Sequence, residues 1–489
     1  MHKKQFVFFG GPVLALLVGF AFYFSGYPFI LCCTAAVLIL MAYWWMTEAV
    51  NLFITSFLPL MLFPVLGIMK MQDVAPLYMR DVMFLYIGGF LLTFAIERWN
   101  LHKRISLNIL LKFGGSPEKL LLGFILASYF LSMWLNNTST TLMLLPICLA
   151  VINQLHGNNE KKLTGISAAI LIGVAFASSI GGTATLIGTL PNMVMKDFYD
   201  AQFSNTAKLD FGRWFLFAFP MSFVFVMICY WVLRIVLVKK GETESVPLDY
   251  IINEKRTLGK MQYEEKAITI IFLLAIVLWF TIDAKDFGAF VIPGWSNLLP
   301  DPDFVSESYV AMFMMGLLFF TPSKNRKGEN LVTWEEFKKI PLGIIFLFGG
   351  GFALAEGVKV SGLGDWIAQN LVALQYLPLW LMIFCLCLIT TLFSEFASNT
   401  ATAILFMTIL VPVIGQMQDV PPLMIMMPVA MAASYSFMLP VGTPPNTIVF
   451  GTEKVSVRQM MRTGIWLDII GAIVITVFMM TLGRFVFGL

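Results

Sequence analysis

Stretches of apolar residues long enough to cross a lipid bilayer recur along almost this whole sequence, and that recurrence leaves few folds open. A bilayer's hydrocarbon core is about 30 Å thick, so a crossing helix needs roughly 17–25 mainly apolar residues. Segments of this kind fall near residues 6–25, 29–47, 50–68, 82–100, 164–197, 212–238, 267–283, 308–322, 341–358, 422–452 and 463–485. The chain is 58% hydrophobic and only 12% charged. A soluble protein carries about 25% charged residues, so these few charges could not cover a globule of this length. The start, His2-Lys3-Lys4 and then Gln5 to Tyr27, resembles the charged and apolar parts of a signal peptide. It lacks a small-residue cleavage site and reads as a first transmembrane helix.

Two more apolar stretches, 117–155 and 377–417, carry a polar cluster in their middle: Asn136-Asn137-Thr138-Ser139-Thr140-Thr141 and Ser398-Asn399-Thr400-Ala401-Thr402. A helix facing lipid would not hold such a cluster at bilayer depth. Two half-length helices meeting at a polar turn would, because non-helical backbone at that depth is tolerated where protein or a wet cavity surrounds it. The spacing therefore predicts two re-entrant hairpins.

An internal repeat relates them. Shifting the sequence by 262 positions lays Gly88-Gly89-Phe90 on Gly350-Gly351-Phe352, Ser132 on Ser394, Asn137-Thr138 on Asn399-Thr400, and Thr140 on Thr402. A second match follows each hairpin at a shift of 254: Gly188-Thr189-Leu190-Pro191-Asn192 against Gly442-Thr443-Pro444-Pro445-Asn446. An odd number of spans separates the hairpins, so they enter from opposite faces. The expected fold is an all-α polytopic membrane protein of about 11 transmembrane helices plus two re-entrant hairpins in an inverted-topology repeat. That is the architecture of many secondary transporters, with the site at the midplane where the repeats meet.

Cytoplasmic loops carry the excess of Lys and Arg. Placing the N-terminus in the cytoplasm gathers most of the 32 basic residues there, including Lys3, Lys4, Lys103, Arg104, Lys112, Lys119, Lys161 and Lys162. The linker residues Lys239, Lys240, Lys255, Arg256, Lys260 and Lys266 join them, as do Lys454, Arg458 and Arg462. The acidic 284–307 loop and the C-terminus then fall outside.

The Gly-Thr-X-Pro-Asn segments sit inside apolar spans, where Gly and Pro interrupt a helix. Matched interruptions in the two halves of a transporter point to its binding site. Half-helix N-termini expose unpaired N–H groups that suit an anion, while unwound turns expose carbonyls that suit a hard cation such as Na+. No Lys or Arg occurs in 120–160 or 379–453, so a divalent anion there would need co-bound cations. Proton coupling would instead need a buried acid, and Glu48, Glu97, Glu356, Glu395 and Asp468 are the candidates. Glu395 lies four residues before Asn399, and its repeat counterpart is Met133. Either a hydrogen-bonded structural carboxylate or a proton carrier accounts for it.

An enzyme reading has little to stand on. Only three His are present, and the sequence lacks the His-Glu-x-x-His, Gly-x-Ser-x-Gly and P-loop motifs. The six cysteines lie within apolar runs, at spacings that match neither a disulfide framework nor a metal site. The linker basics are accounted for by topology, so nucleic acid is not an expected partner, and no organic cofactor is expected.

The paired Ser-Asn-Thr-like tips, the paired Gly-Thr-X-Pro-Asn breaks and the run Glu97-Arg98-Trp99-Asn100-Leu101-His102-Lys103-Arg104 resemble the divalent-anion/sodium symporters, over nearly the whole chain. That family includes sodium-coupled carriers of dicarboxylates, citrate and sulfate. The resemblance implies a cell-membrane homodimer in which a transport part moves as an elevator against a scaffold. Residues 1–112 and 267–376 would be scaffold, 113–240 and 377–489 transport, and 241–266 a cytoplasmic linker. It implies one Na+ near Ser132, Asn136, Asn137 and Gly188, and a second near Ser394, Ala397, Asn399 and Gly442. Substrate carboxylates would meet Asn137, Thr138, Ser398, Asn399 and Thr400, with Thr443 and Pro444 shaping the pocket. Asn136 stands where the family has Ser, and Leu190 where the second break has Pro444. A sodium-coupled carrier of a succinate-like acid is the leading expectation. Na+-independent exchange, sulfate or citrate transport and, further off, a channel remain open.

Overall fold

In a computed structural model, residues 2–114, 116–156, 165–203, 206, 208–238, 248–286, 291–371, 376–417 and 420–488 are described. Lys161, Lys162, Lys239 and Lys240, which the topology argument places in the cytoplasm, lie outside the described residues. The described chain is helical apart from one small ribbon, Lys285–Asp286 paired with Val291–Ile292.

α1 (His2–Phe24) and α2 (Phe29–Thr47) form a helical pair. α1 is apolar yet mostly uncovered by protein, as suits a helix facing lipid. The segment expected as one span over 50–68 is instead two short helices, α3 (Leu52–Thr55) and α4 (Leu58–Val65). The backbone turns at Ser56, whose carbonyl accepts the Tyr78 hydroxyl at 2.6 Å. Pro59, in the first turn of α4, starts the new helix without losing a needed donor. α5 (Met71–Val74) and a 3₁₀ turn then lead to α6 (Asp81–Arg98).

α7 (Leu101–Lys112) is amphipathic and was not among the expected spans. It buries Leu101, Leu107 and Leu110, and its charges are paired: Lys103 with Glu254 at 2.6 Å, and Arg104 with the buried Glu265 at 2.7 Å. The first repeat continues through α8 (Pro117–Ser132), α9 (Asn137–His156), α10 (Gly165–Gly182), α11 (Leu190–Gln202) and α12 (Phe211–Leu237). α13 (Asp249–Thr257), α14 (Tyr263–Phe280), α15 (Glu307–Phe320) and α16 (Trp334–Phe337) join the halves. The second repeat holds α17 (Gly343–Val360), α18 (Leu363–Leu371), α19 (Leu379–Ser394), α20 (Asn399–Gly415), α21 (Leu423–Ala432), α22 (Pro444–Phe450) and α23 (Val457–Phe478). A short π-helical stretch leads from α23 into α24 (Arg484–Phe487). α8 and α19 begin and end 262 residues apart, so the repeat seen in sequence is a repeat of helices.

The repeated glycines explain how the halves lock. Gly88 on α6 lies so close to α15 that a Cβ there would be 2.6 Å from the Ala311 carbonyl. Gly350, its counterpart on α17, lies against the backbone of Ser56 in the same way. Each repeat thus uses this matched glycine to admit a neighbouring backbone. At the centre, α10 is buried on nearly every side, the expected place for a helix apolar all round.

Two ionic clusters sit at element ends. Arg98, closing α6, pairs with Glu336 at 2.6 Å and with Glu329, pinning the segment around α16. Burial alone would raise the Glu336 carboxyl, but hydrogen bonds from Thr333 and the Arg98 guanidinium hold it below the ordinary carboxylate range. Elsewhere Lys196 of α11 lies 2.6 Å from Asp200 and 3.6 Å from Glu307, the first residue of α15. Arg80, just before α6, lies 3.1 Å from Asp197.

Candidate functional site

Each hairpin tip is built by a helix that stops and another that starts within a few residues. Ser132 ends α8 and Ser394 ends α19, both fully buried. The next helices begin at Asn137 and Asn399. The serine bridges the gap in both tips: Ser132 Oγ donates to Asn137 Oδ1 at 2.8 Å, and Ser394 Oγ to Asn399 Oδ1 at 2.9 Å. This bond fixes the amide so that its oxygen faces the serine, and both oxygens then line the same turn.

The broken spans are held by a second matched device. Asn192 Nδ2 donates to the carbonyls of Gly182 at 3.1 Å and Thr185 at 2.7 Å. Asn446 Nδ2 donates to Ser436 at 2.9 Å and Leu439 at 3.1 Å. Every partner is related to its counterpart by the same offset of 254 residues. Each asparagine therefore ties the end of one half-helix to the start of the next, and so holds the unwound stretch open. The recurrence of Asn192 and Asn446 beside Pro in the matched motifs is the sequence signal for this role.

The breaks and tips interlock across the repeats. α9 packs on α22 and α11 packs on α20. Thr183, in the first break, lies 3.0 Å from the Tyr435 hydroxyl in the second, and Thr189 Oγ1 is 3.4 Å from Ser434 Oγ. The first break is stitched to the first tip as well: Thr185 Oγ1 donates to the Met133 carbonyl and accepts from Gly188 N–H at 3.1 Å.

The expected residues fall into three groups. Ser132, Asn137 and Gly188 gather at the first tip, with Gly188 packed against Gly182 and the Met133 carbonyl. Ser394, Asn399 and Gly442 belong to the second tip, where Gly442 lies beside Ser436 and Glu395 and Ala397 is buried in the turn. Thr138 and Ser398 are half-buried and Pro444 is exposed, whereas Thr400 and Thr443 are buried. Thr443 Oγ1 caps α22 by accepting from Asn446 N–H at 3.3 Å.

Asn136 behaves differently from the position it was expected to share with Ser398. Its Oδ1 accepts from Ser139 N–H at 2.7 Å, so the side chain caps α9. Asn and Ser are comparably good caps. Ser398 precedes α20 and makes no side-chain cap.

Of the acids considered, Glu48 is exposed and Glu356 pairs with Lys359 at 3.9 Å. Glu395 is fully buried and accepts from the N–H groups of Met438 at 2.7 Å and Leu439 at 2.8 Å. Among the described residues no group of three or more His, Cys, Asp or Glu could hold a metal, and the six cysteines are unpaired.

A duplicated helical scaffold with two facing re-entrant tips is a secondary-transporter site. Residues 16–489 match the family described as the sodium:sulfate symporter transmembrane region, and the chain belongs to that family of divalent-anion/sodium symporters. It is 37% identical over 451 residues to a sodium-dependent dicarboxylate transporter, SdcS, of Staphylococcus saprophyticus, covering 90% of this chain and 84% of the relative. SdcS of Staphylococcus aureus strain NCTC 8325 is 36% identical over 475 residues, covering 95% of this chain and 88% of that one. Among solved structures, the YdaH transporter of Alcanivorax borkumensis superposes with a TM-score of 0.56 over 83% of this chain and 85% of that one, at 12% identity. That likeness concerns the fold alone.

Proposed function

We propose that this protein carries a dicarboxylate, a succinate-like four-carbon acid first among them, across the cell membrane together with Na+. The observation that carries the reading is the pair of serine-to-asparagine bonds at the two tips, each beside an unwound, amide-clamped break. The tips offer neutral oxygens and hydroxyls with no basic side chain. A dianion there is balanced only if cations enter with it, and the SdcS relatives are named as sodium-dependent dicarboxylate transporters.

In this reading Ser132, Asn137 and Gly188 hold one Na+ with the Asn136 turn, and Ser394, Ala397, Asn399 and Gly442 hold the other. Substrate carboxylates are met by Asn137, Thr138, Ser398, Asn399 and Thr400, with Thr443 and Pro444 at the rim. Residues 113–240 and 377–489 move as an elevator against the scaffold of a homodimer whose N-terminus is cytoplasmic. One observation favours a second reading, Na+-independent exchange: the Asn136 side chain is committed to capping α9, which takes a ligand from the first cation position.

Radiolabelled succinate uptake into proteoliposomes, with and without Na+ and in competition with sulfate and citrate, separates the two. Symport requires uptake that collapses without Na+. Asn399→Ala and Thr400→Ala should each lower succinate affinity or rate at least about 10-fold, the usual scale for one lost polar contact of ~1.4 kcal/mol. Unchanged kinetics in both variants would remove the proposed substrate site.

A further inference from the structure

Beside the second tip lies a polar cluster that neither the substrate nor the two cation positions uses. We propose that Asp468, Glu395 and Ser436 form an additional Na+ site, and the proposal rests on the sodium-coupled reading above. Glu395 and Ser436 are fully buried and Asp468 is 5% exposed. Asp468, on α23, faces the Glu395 carboxyl across the interface with α19. Glu395 draws two backbone N–H groups, from Met438 and Leu439. Both oxygens of Asp468 and Ser436 Oγ are buried, with Asp468 beside the Glu395 carboxyl and the Phe437 backbone, and Ser436 beside Glu395.

Two carboxylates in the interior without a counter-charge are strongly unfavourable. Within the second hairpin and break, 379–453, there is no Lys or Arg, and Arg458 and Arg462 on α23 are exposed. A single proton shared between the carboxyls would link Asp468 to Glu395 without drawing in Ser436. A hard cation binds several oxygens at once, and one here would be held by oxygens of all three side chains and offset one of the two buried charges.

The first repeat shows that the cluster is not part of the scaffold's requirements. At the places matched to Glu395 and Ser436 it has Met133 and Gly182. The same serine-bridged tip and the same asparagine clamp form there without any acid. Gly442 joins the cluster to the second tip. A Cβ at that position would collide with Ser436 Oγ and lie 3.0 Å from Glu395 Oε2, so the glycine leaves the space between break and cluster open. A cation held here would add positive charge behind the second tip.

The test counts bound radioactive Na+ on the purified full-length chain and, separately, measures the Na+ dependence of succinate uptake in proteoliposomes. Asp468→Asn should lose one Na+ relative to wild type and raise the Na+ concentration for half-maximal uptake by roughly 10-fold or more, the scale on which ligand-shell changes act. Ser436→Ala, which removes only a hydroxyl, should raise it several-fold and serves if Asp468→Asn fails to fold. Folded variants with wild-type Na+ counts and half-saturation overturn the site. So does proton entry into dye-loaded vesicles that accompanies wild-type uptake and vanishes in Asp468→Asn, because the cluster then carries H+. Wild-type uptake indifferent to Na+ overturns the symport reading instead. The Na+ count is scored without transport and distinguishes the two failures.

Discussion

The two repeats share a skeleton and differ in chemistry. Both close their tips with a serine bonded to an asparagine oxygen, and both clamp their breaks with an asparagine amide on two carbonyls. Both also admit a neighbouring backbone at a matched glycine. Where the first has Met133 and Gly182, the second has Glu395 and Ser436. Where the first caps its returning helix with Asn136, the second leaves Ser398 uncapped. The retained features are those that fix backbone position. Charge and hydroxyl placement vary on top of them, so the halves have equivalent frames and unequal electrostatics.

If the frames are equivalent, equivalent substitutions should be equally harmful. Gly88→Ala and Gly350→Ala each drive a methyl into a neighbouring backbone, and each should cost roughly 3 kcal/mol, the upper end for overpacking. Thermal unfolding in detergent should show both Tm values falling by similar amounts, and a silent member of the pair would break the equivalence. Next in size, Asn192→Ala and Asn446→Ala each strip two buried carbonyls of their donor, at about 2 kcal/mol apiece. Matched losses of stability are expected again, and a variant that unfolds normally but still transports would show that the clamp does not position the site. Asn136→Ser should stay within about 0.5 kcal/mol in stability because one good cap replaces another. Its Na+ dependence then reports whether the two tips become alike.

The smallest effect lies away from the repeats. Glu336 is held below the ordinary carboxylate range, so its contribution to stability is present above the unfolded value of about 4.3 and fades as pH falls through the lower folded value. Glu336→Gln should flatten that acid limb of a Tm-against-pH curve by lowering the neutral-pH Tm slightly and leaving the acid-pH Tm nearly unchanged. An unaltered limb would show that Arg98 and Thr333 do not hold the carboxylate.

Much of this was legible in the sequence because lipid punishes polar residues. Asn137 and Asn399 stood out only because their surroundings are apolar, and a constant offset survived because α8 and α19 have the same length. Gly88 and Gly350 were visible as a match, though nothing in the chain named Ala311 and Ser56 as the backbones they admit. α7 was overlooked because hydropathy averages over its faces, and only the helical spacing of Leu101, Leu107 and Leu110 could have revealed it. The segment 50–68 looked like one helix because the Ser56 carbonyl leaves the helix for a tyrosine distant in sequence. Asn136 illustrates the remaining ambiguity: an amide beside a helix start can cap or coordinate, and the choice depends on which donor lies nearest.

The ionic knot at Lys196 constrains how α11 can move. Lys196 and Asp197, side by side on α11, meet Glu307 and Arg80 where α11 approaches α6 and α15. Lys196 and Glu307 are mostly hidden from solvent, with side-chain exposures of 11% and 9%. Any motion that slides α11 past α15 must part these charges before water reaches them, and parting a desolvated pair is expensive. If α11 slides in this way, the knot acts as a detent that holds the helices in register until the whole contact releases.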